Sequence, residues 1–196
     1  MAITGLRGFR YCIVEKDDET SLSYSKEIKR LIGARSVKIS PKTDTGELHG
    51  DDQLLETASS LGAIDVEIDI TELGLKERSE LLGYEYENGV LKENKDFNPP
   101  EIAFGFMAPK SPKSGGGFRM VWLLKGKMEP LDEEAKTKED KIEFQTPKAK
   151  FKFMPRINDG HYKITTDTDL EGAPTEREFF TVEFLETGKK TVESGI

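Results

Sequence analysis

Residues 64–70 have the sequence Ile-Asp-Val-Glu-Ile-Asp-Ile, the most regular alternation of apolar and acidic residues in the chain. Successive side chains of a β-strand point to opposite faces of a sheet, so this stretch predicts a strand with an apolar core face and an acidic outer face. The stretch 119–125 is apolar on both faces, which indicates a central strand. Further period-two runs occupy residues 9–15, 36–40, 102–106, 148–153, 161–166 and 178–184.

Helical patterns are few. The segment 71–82 has leucines at helix-compatible spacing and is followed by Gly83, so it predicts a helix with a glycine stop. Residues 26–32 are a second, shorter candidate. Residues 53–61 fit either a helix or a strand that follows a hairpin turn at 49–52, and we favour the hairpin. The predicted fold is therefore mainly β: an antiparallel β-sandwich or barrel with one packed α-helix and long loops.

The length of 196 residues predicts a single domain, residues 1–196. Within it we expect an N-terminal arm with the first strand (1–34) and a hairpin tip rich in Pro and Gly between two strong strands (109–117). We also expect an acidic, solvated loop (128–141) and a flexible C-terminal tail (185–196).

Composition and charge narrow the functional class. The net charge is −8, which disfavours a nucleic-acid-binding protein because phosphate contacts need Lys and Arg. No apolar run approaches the length of a membrane span, and the first eight residues lack a secretory pattern, so we expect no membrane insertion. Cys12 is the only cysteine; it excludes an internal disulfide, suits a reducing cytosol, and is expected to be a small buried hydrophobe.

No catalytic, cofactor-binding or metal-binding constellation is apparent. The two histidines, His49 and His161, lie in turn-like sequences without a second His or Cys at ligand spacing. A nucleophile elbow, a P-loop and a dinucleotide fingerprint are all missing from the sequence. A glycosidase-type carboxylate pair stays open among the 37 acidic residues, although no aromatic sugar platform accompanies one. We therefore expect no enzyme, no cofactor and no metal.

The acidic face of the 64–70 strand carries Asp65, Glu67 and Asp69, and no Lys or Arg occurs between Asp44 and Glu72. Solvated sheet faces usually intersperse both signs of charge. A stripe of one sign therefore fits a surface that must face a negative partner without binding it. The ordinary alternative is a merely solvated face.

Several segments resemble, in order, the major tail tube protein of long non-contractile-tailed bacteriophages, in the variety found in phages of Gram-positive hosts. The order and spacing of the segments carry the resemblance, which covers roughly residues 35–185. The matching segments are 50–58, with its turn and acidic residues, the acidic strand, the helix ending at Gly83, the strands at 103–106 and 121–127, and the residues 137–138 and 143–147.

The resemblance implies a β-sandwich-like tail tube fold with a helix packed at its side. It also implies a structural virion protein whose subunits form hexameric rings that stack into a hollow tube for DNA delivery, with no catalytic residue and no cofactor. The implied partners are further copies of the chain, a tape measure protein, and tail terminator and distal tail proteins, while DNA passes through without specific binding. The implied location is the virion tail, after synthesis in the host bacterial cytoplasm.

Two site hypotheses follow. Asp65, Glu67 and Asp69 are expected to line the bore of the tube. The hairpin tip is expected to be an inter-subunit loop that contributes little to the fold of the monomer. Its residues are Lys110, Ser111, Pro112, Lys113, Ser114, Gly115, Gly116 and Gly117. The competing interpretation is a soluble β-sandwich binding module or a related secretion-tube-like ring protein.

Overall fold

The computed structural model describes residues 5–50, 53–132 and 148–190. Eleven strands occur in these ranges, and every strand pairing among them is antiparallel, so the prediction of a mainly β fold is confirmed. The strands are β1 (Arg7–Asp17), β2 (Leu22–Tyr24), β3 (Lys29–Arg30), β4 (Ala34–Gly50), β5 (Gln53–Ile70), β6 (Glu85–Glu87), β7 (Val90–Lys92), β8 (Ile102–Pro109), β9 (Phe118–Met128), β10 (Lys148–Phe153) and β11 (Lys163–Asp167).

Nine of these strands form one sheet in the order β2-β1-β8-β9-β10-β5-β4. β3 pairs with β1. β11 pairs with residues 119–123 of β9, next to the residues 126–128 that pair with β10. β6 and β7 form a separate two-stranded ribbon. Within the described ranges, no helix is both long and apolar enough to cross a membrane.

The hairpin of β4 and β5 is much longer than the sheet that contains it. Within β5, only the segment 64–69 pairs with β10, whereas β4 and β5 stay paired with each other out to Gly50 and Gln53. The far part, residues 43–50 and 53–61, is here called the distal arm. In the part of the chain that the structure describes, the strands of the distal arm pair only with each other. The hairpin prediction for residues 53–61 is confirmed, while its turn residues 51–52 lie outside the described residues.

The sheet has an apolar core on each face. One core contains the alternating residues of β5, from Ile64 to Ile70, together with aromatic residues of β1, β8 and β10. The other core is centred on Trp122 of β9 and packs against C-terminal residues such as Phe179 and Leu185. Val121 contributes to the first core and Trp122 to the second, so β9 is buried on both faces, as its sequence predicted.

Three helices occur in the described residues: α1 (Leu75–Leu82), α2 (Glu176–Phe179) and α3 (Val182–Thr187). α1 confirms the helix predicted near 71–82. It ends at Gly83, whose φ of 72° is left-handed, a conformation that favours glycine. The prediction of one packed helix missed α2 and α3.

Two local predictions were wrong. Residues 26–32 form no helix and instead contain β3, because pairing with β1 prevails over the weak local helical pattern. Residues 178–184 form no strand. There Thr175 makes a capping box with Glu178 that starts α2, and the aromatic residues that follow pack under Trp122.

The C-terminal segment is structured further along the chain than predicted. Leu185 is buried and α3 continues to Thr187, so the expected flexible tail does not begin at 185. Residues 191–196 of the predicted tail, residues 133–141 of the predicted acidic loop and residues 1–4 of the arm lie outside the described residues. The rest of the predicted arm belongs to the sheet through β1, β2 and β3.

Candidate functional site: the charged strand face

The predicted acidic stripe lies on the outer face of β5. Ile64, Val66, Ile68 and Ile70 are buried in the first core, so the intervening carboxylates must project from the opposite side of the sheet. The step from sequence alternation to an outer acidic stripe is therefore confirmed.

Lysines from two neighbouring strands flank this stripe. In β10, Lys152 lies opposite Asp65 and Lys148 lies opposite Asp69, with Lys150 between them. On the other side, Lys38 of β4 lies opposite Glu67. We define the charged face by its outward side chains: Lys38, Lys42, Asp65, Glu67, Asp69, Lys148, Lys150 and Lys152, with Glu129 and Asp132 after β9.

The carboxylates of β5 are engaged by these neighbours. The Lys148 ammonium lies 2.7 Å from Glu67 Oε1, and the Lys42 ammonium lies 2.7 Å from Asp65 Oδ2. The hydroxyl of Ser36 donates to Asp69 Oδ2 at 2.6 Å. Asp65 Oδ1 is buried without a hydrogen-bond partner among the described residues.

A second row of ion pairs ties β10 to the residues after β9. The Lys150 ammonium lies 2.6 Å from Asp132 Oδ2, and the Lys152 ammonium lies 2.9 Å from Glu129 Oε1. The hydrogen bond from Lys150 lowers the pKa of Asp132, and the bond to Asp132 raises the pKa of Lys150. Hydrogen bonds to Glu67 and Glu129 likewise raise the pKa values of Lys148 and Lys152. Both signs of charge are therefore retained near neutral pH.

The face is mixed in sign, so the interpretation of residues 64–70 as part of a one-sign surface is wrong. The sequence argument counted charges along the chain, whereas the neighbours of a strand residue lie across the sheet. The paired side chains of Lys42, Asp65, Glu67 and Lys148 are between 37% and 63% exposed, so water and salt screen these pairs. Whether this face lines a bore stays a prediction.

The hairpin tip is tied to the monomer by its first residue. The side chain of Lys110 is only 2% exposed and forms ion pairs with Asp167 and Asp169. Arg119 donates to Asp167 at 2.8 and 2.9 Å, which completes a network between the tip and the end of β11. A Cβ at Gly117 would meet the hydroxyl of Thr168 at 2.6 Å, so the end of the tip also packs closely. Both ends of the tip are therefore packed against the monomer, contrary to the expectation of a loose loop, and how much the tip contributes to stability stays a prediction.

The remaining candidate residues carry little chemistry. Cys12 is buried, as predicted, and burial raises the pKa of its thiol. His161 is exposed, with Nδ1 3.2 Å from Asp159 Oδ2. Across the described ranges, no group of three or more His, Cys, Asp or Glu side chains is arranged to hold a metal ion.

Sequence reasoning missed two charged features. One is the buried pair of Lys125 and Asp17, with the ammonium 2.7 Å from the carboxylate. The other is a groove beside β1 that contains Arg7, Arg10 and Arg30. Neither left a signal in the sequence, because the partners are brought together by strand pairing.

No model of a known protein family matches the chain, and a search of curated proteins found no similar sequence.

Proposed function

We propose that the chain is a structural subunit of a phage tail tube, which forms rings of identical copies that stack into a hollow tube for DNA. The observation that carries the proposal is the distal arm. Its two strands pair only with each other among the described residues, and from Thr43 to Gly50 they extend for about 25 Å at the usual rise per strand residue. A two-stranded ribbon that pairs with no further strand is marginal alone, so a partner surface would stabilise the arm.

The edge of the sheet supports the same proposal. β4 is the last strand in the sheet order, and no described strand pairs with its outer side. Such an edge presents backbone N–H and C=O groups that can pair with another chain. A homo-oligomer supplies partners for both the arm and the edge, and a head-to-tail contact closes into a ring when its rotation permits.

The charged face gives the proposed bore a revised physical basis. Four of its lysines each have a carboxylate partner: Lys42, Lys148, Lys150 and Lys152. A lysine already held by a carboxylate is less available to a DNA phosphate, which limits the counterion release that drives DNA binding. In this proposal Asp65, Glu67 and Asp69 keep the bore weakly adhesive by neutralising lysines, and not by forming a stripe of one sign.

Assembly is the direct test of the proposal. Purified protein should form rings or tubes that are visible by negative-stain electron microscopy and that sediment faster as the concentration rises. Replacing residues 43–61 with an Asn-Gly turn should leave the circular dichroism spectrum of the sheet intact and abolish tubes. A wild-type protein that stays monomeric at every concentration would support the binding module instead.

The bore is tested separately by neutral substitutions. The variant Asp65→Asn/Glu67→Gln/Asp69→Asn removes the charged partners of Lys42 and Lys148 and adds no new charge. Its tubes should retain DNA in a salt-dependent way, and phage that carry them should eject DNA more slowly. A matched control is Glu72→Gln, an exposed carboxamide substitution just beyond β5. Unchanged DNA retention by the triple variant would place these carboxylates elsewhere in the tube.

A further inference from the structure

A groove of about 500 Å³ lies between β1 and the segment that leads from β3 into β4. Its lining includes three arginines together with the apolar residues Leu31 and Ile32. We call it the arginine groove, with Arg7, Arg10, Arg30 and Ile32 as its defining residues. In a chain of net charge −8, a groove with three arginines and a single carboxylate, that of Glu176, is locally reversed in sign.

Two of the arginines directly oppose each other. Arg10 of β1 and Arg30 of β3 are cross-strand partners, an arrangement in which like charges destabilise a sheet. Arg10 is compensated, because its guanidinium lies 3.2 Å from Glu176 and 3.7 Å from the centre of the Phe180 ring. Arg30 is exposed and forms no ion pair with any described residue. The groove therefore holds a cation that lacks a carboxylate partner among the residues that the structure describes.

Ile32, the exposed apolar residue of the groove, is held outward by the backbone contacts of its neighbours. The N–H of Leu31 donates to the carbonyl oxygen of Phe9 at 2.9 Å, and the side chain of Leu31 is buried. Gly33 has a φ of 89°, and its carbonyl oxygen accepts from the N–H of Thr71 at 2.8 Å. Ile32, fixed between these anchors, is 83% exposed. Arginine is enriched at protein–protein interfaces, and the exposed Ile32 beside Arg30 adds apolar area that a phosphate group would leave uncovered, so the groove suits a protein partner.

The ribbon of β6 and β7 offers the complementary surface, and we call it the acidic hairpin. Glu87 pairs across the ribbon with Val90 and Glu85 pairs with Lys92, so these four side chains share one face of the ribbon. Val90 is 54% exposed, and both glutamates are exposed. Neither glutamate forms an ion pair with any described residue. The face thus presents two carboxylates about 7 Å apart beside an exposed aliphatic side chain, with Lys92 at the end of the ribbon next to Glu85.

We propose that the arginine groove of one copy receives the acidic hairpin of a second copy. Glu85 and Glu87 face the arginines, chiefly Arg30, and Val90 covers Ile32. The inference rests on the proposed function, because it names a contact between identical subunits. The groove and the hairpin are different surfaces of one chain, so the contact is head-to-tail and repeats from copy to copy.

Charge exchange tests this contact in the full-length chain. Arg30→Glu and Glu87→Arg should each raise the concentration required for assembly at least tenfold, since each places like charges across the interface. The double variant Arg30→Glu/Glu87→Arg should restore most of that loss. Lys26→Glu is the matched control, because it reverses an exposed cation outside both the groove lining and β4 and should assemble as the wild type does. Thermal melting of each variant verifies that the monomer is folded.

The outcomes separate the contact from the proposed function. Tubes formed normally by Arg30→Glu would overturn the contact and leave the tube proposal standing. If the single variants do not assemble and the double variant does not restore assembly, the acidic hairpin is not the partner of the groove, which overturns the contact as well. A third outcome is a wild type that forms no tubes but self-associates in a salt-sensitive way. If Arg30→Glu removes that self-association and the double variant restores it, the contact is supported and the tube proposal is overturned. A wild type that is monomeric throughout would overturn both.

Discussion

Asp17, at the end of β1, is the buried carboxylate whose removal should destabilise the fold most clearly. Its side chain is 1% exposed and accepts from the Lys125 ammonium at 2.7 Å and from the backbone N–H groups of Ile157 and Asn158 at 2.8 and 3.0 Å. The side chain of Lys125 is 5% exposed, and its other carboxylate neighbour, Glu101, lies 3.4 Å away. Asp17 therefore joins β1, β9 and the turn after β10.

Asp17→Ala leaves a buried ammonium with one distant partner and two backbone donors without their acceptor. Breaking a buried ion pair by removing one partner costs about 3–5 kcal/mol. We expect the lower end, about 3 kcal/mol, because Glu101 remains and the exposed end of the turn can bind water. For a chain of this size, about 3 kcal/mol corresponds to a fall in Tm of about 6–12 °C.

The assay is thermal and denaturant unfolding of the wild type, Asp17→Ala, Lys125→Met and the double variant. Lys125→Met alone leaves the buried Asp17 carboxylate without its lysine, whereas the double variant removes both charges. The loss of unfolding free energy in the double variant should therefore be smaller than the sum of the two single losses by about 1–3 kcal/mol. Glu19→Ala, an exposed neighbour, is the control and should leave Tm unchanged. Single effects that add to within about 0.5 kcal/mol would refute the reasoning.

The same pair gives a pH dependence. Burial alone would raise the pKa of Asp17, but the hydrogen bonds from Lys125 and the two backbone N–H groups lower it below its ordinary value. A carboxyl group with a lowered folded-state pKa stabilises the fold above its unfolded pKa of about 3.9 and loses that contribution as the pH falls through the folded value. The difference in Tm between the wild type and Asp17→Asn should therefore be largest near neutral pH and should shrink below about pH 4.

Three further substitutions test the packing that positions the proposed surfaces. A Cβ at Gly105 would lie 2.6 Å from the buried ring of Trp122, so Gly105→Ala should destabilise by about 1–3 kcal/mol, measured as a lower denaturant midpoint. Phe184→Ala should cost about 3–5 kcal/mol, because the side chain is buried beneath the sheet; a variant as stable as the wild type would restore the idea of a loose C-terminal tail. Lys110→Ala should lower Tm and speed amide exchange around Asp167, and unchanged exchange there would mean that the hairpin tip is independent of the fold.

The strongest parts of the sequence prediction are those in which local geometry determines burial. Side chains alternate along any strand, so the residues around Ile64 could be assigned to a core face without knowing their neighbours. The double burial of β9 was predictable for the same reason, since residues 119–125 are apolar on both faces. Gly83 marked the end of α1 because few other residues adopt its backbone conformation.

Short segments were predicted less well, because their local preferences are weak and their packing decides whether they form a helix or a strand. The period-two pattern around 178–184 also fits short helices, and contact with Trp122 together with the caps at Thr175 and Thr181 favours the helices. The helix expected at 26–32 gives way to β3 because the backbone groups there pair with β1. In both segments the deciding partner is distant in sequence.

For the charged surfaces, the sequence by itself determined which face of β5 carries the acids, because alternation is a property of a single strand. Only the tertiary structure decided what those acids face. The lysines of β10 follow Asp69 by about 80 residues and reach Glu67 through strand order and register, which no local pattern encodes. The opposition of Arg10 and Arg30 and the burial of Lys125 beside Asp17 arise in the same way. A strand residue meets its electrostatic neighbours across the sheet, and those neighbours are chosen when the sheet assembles.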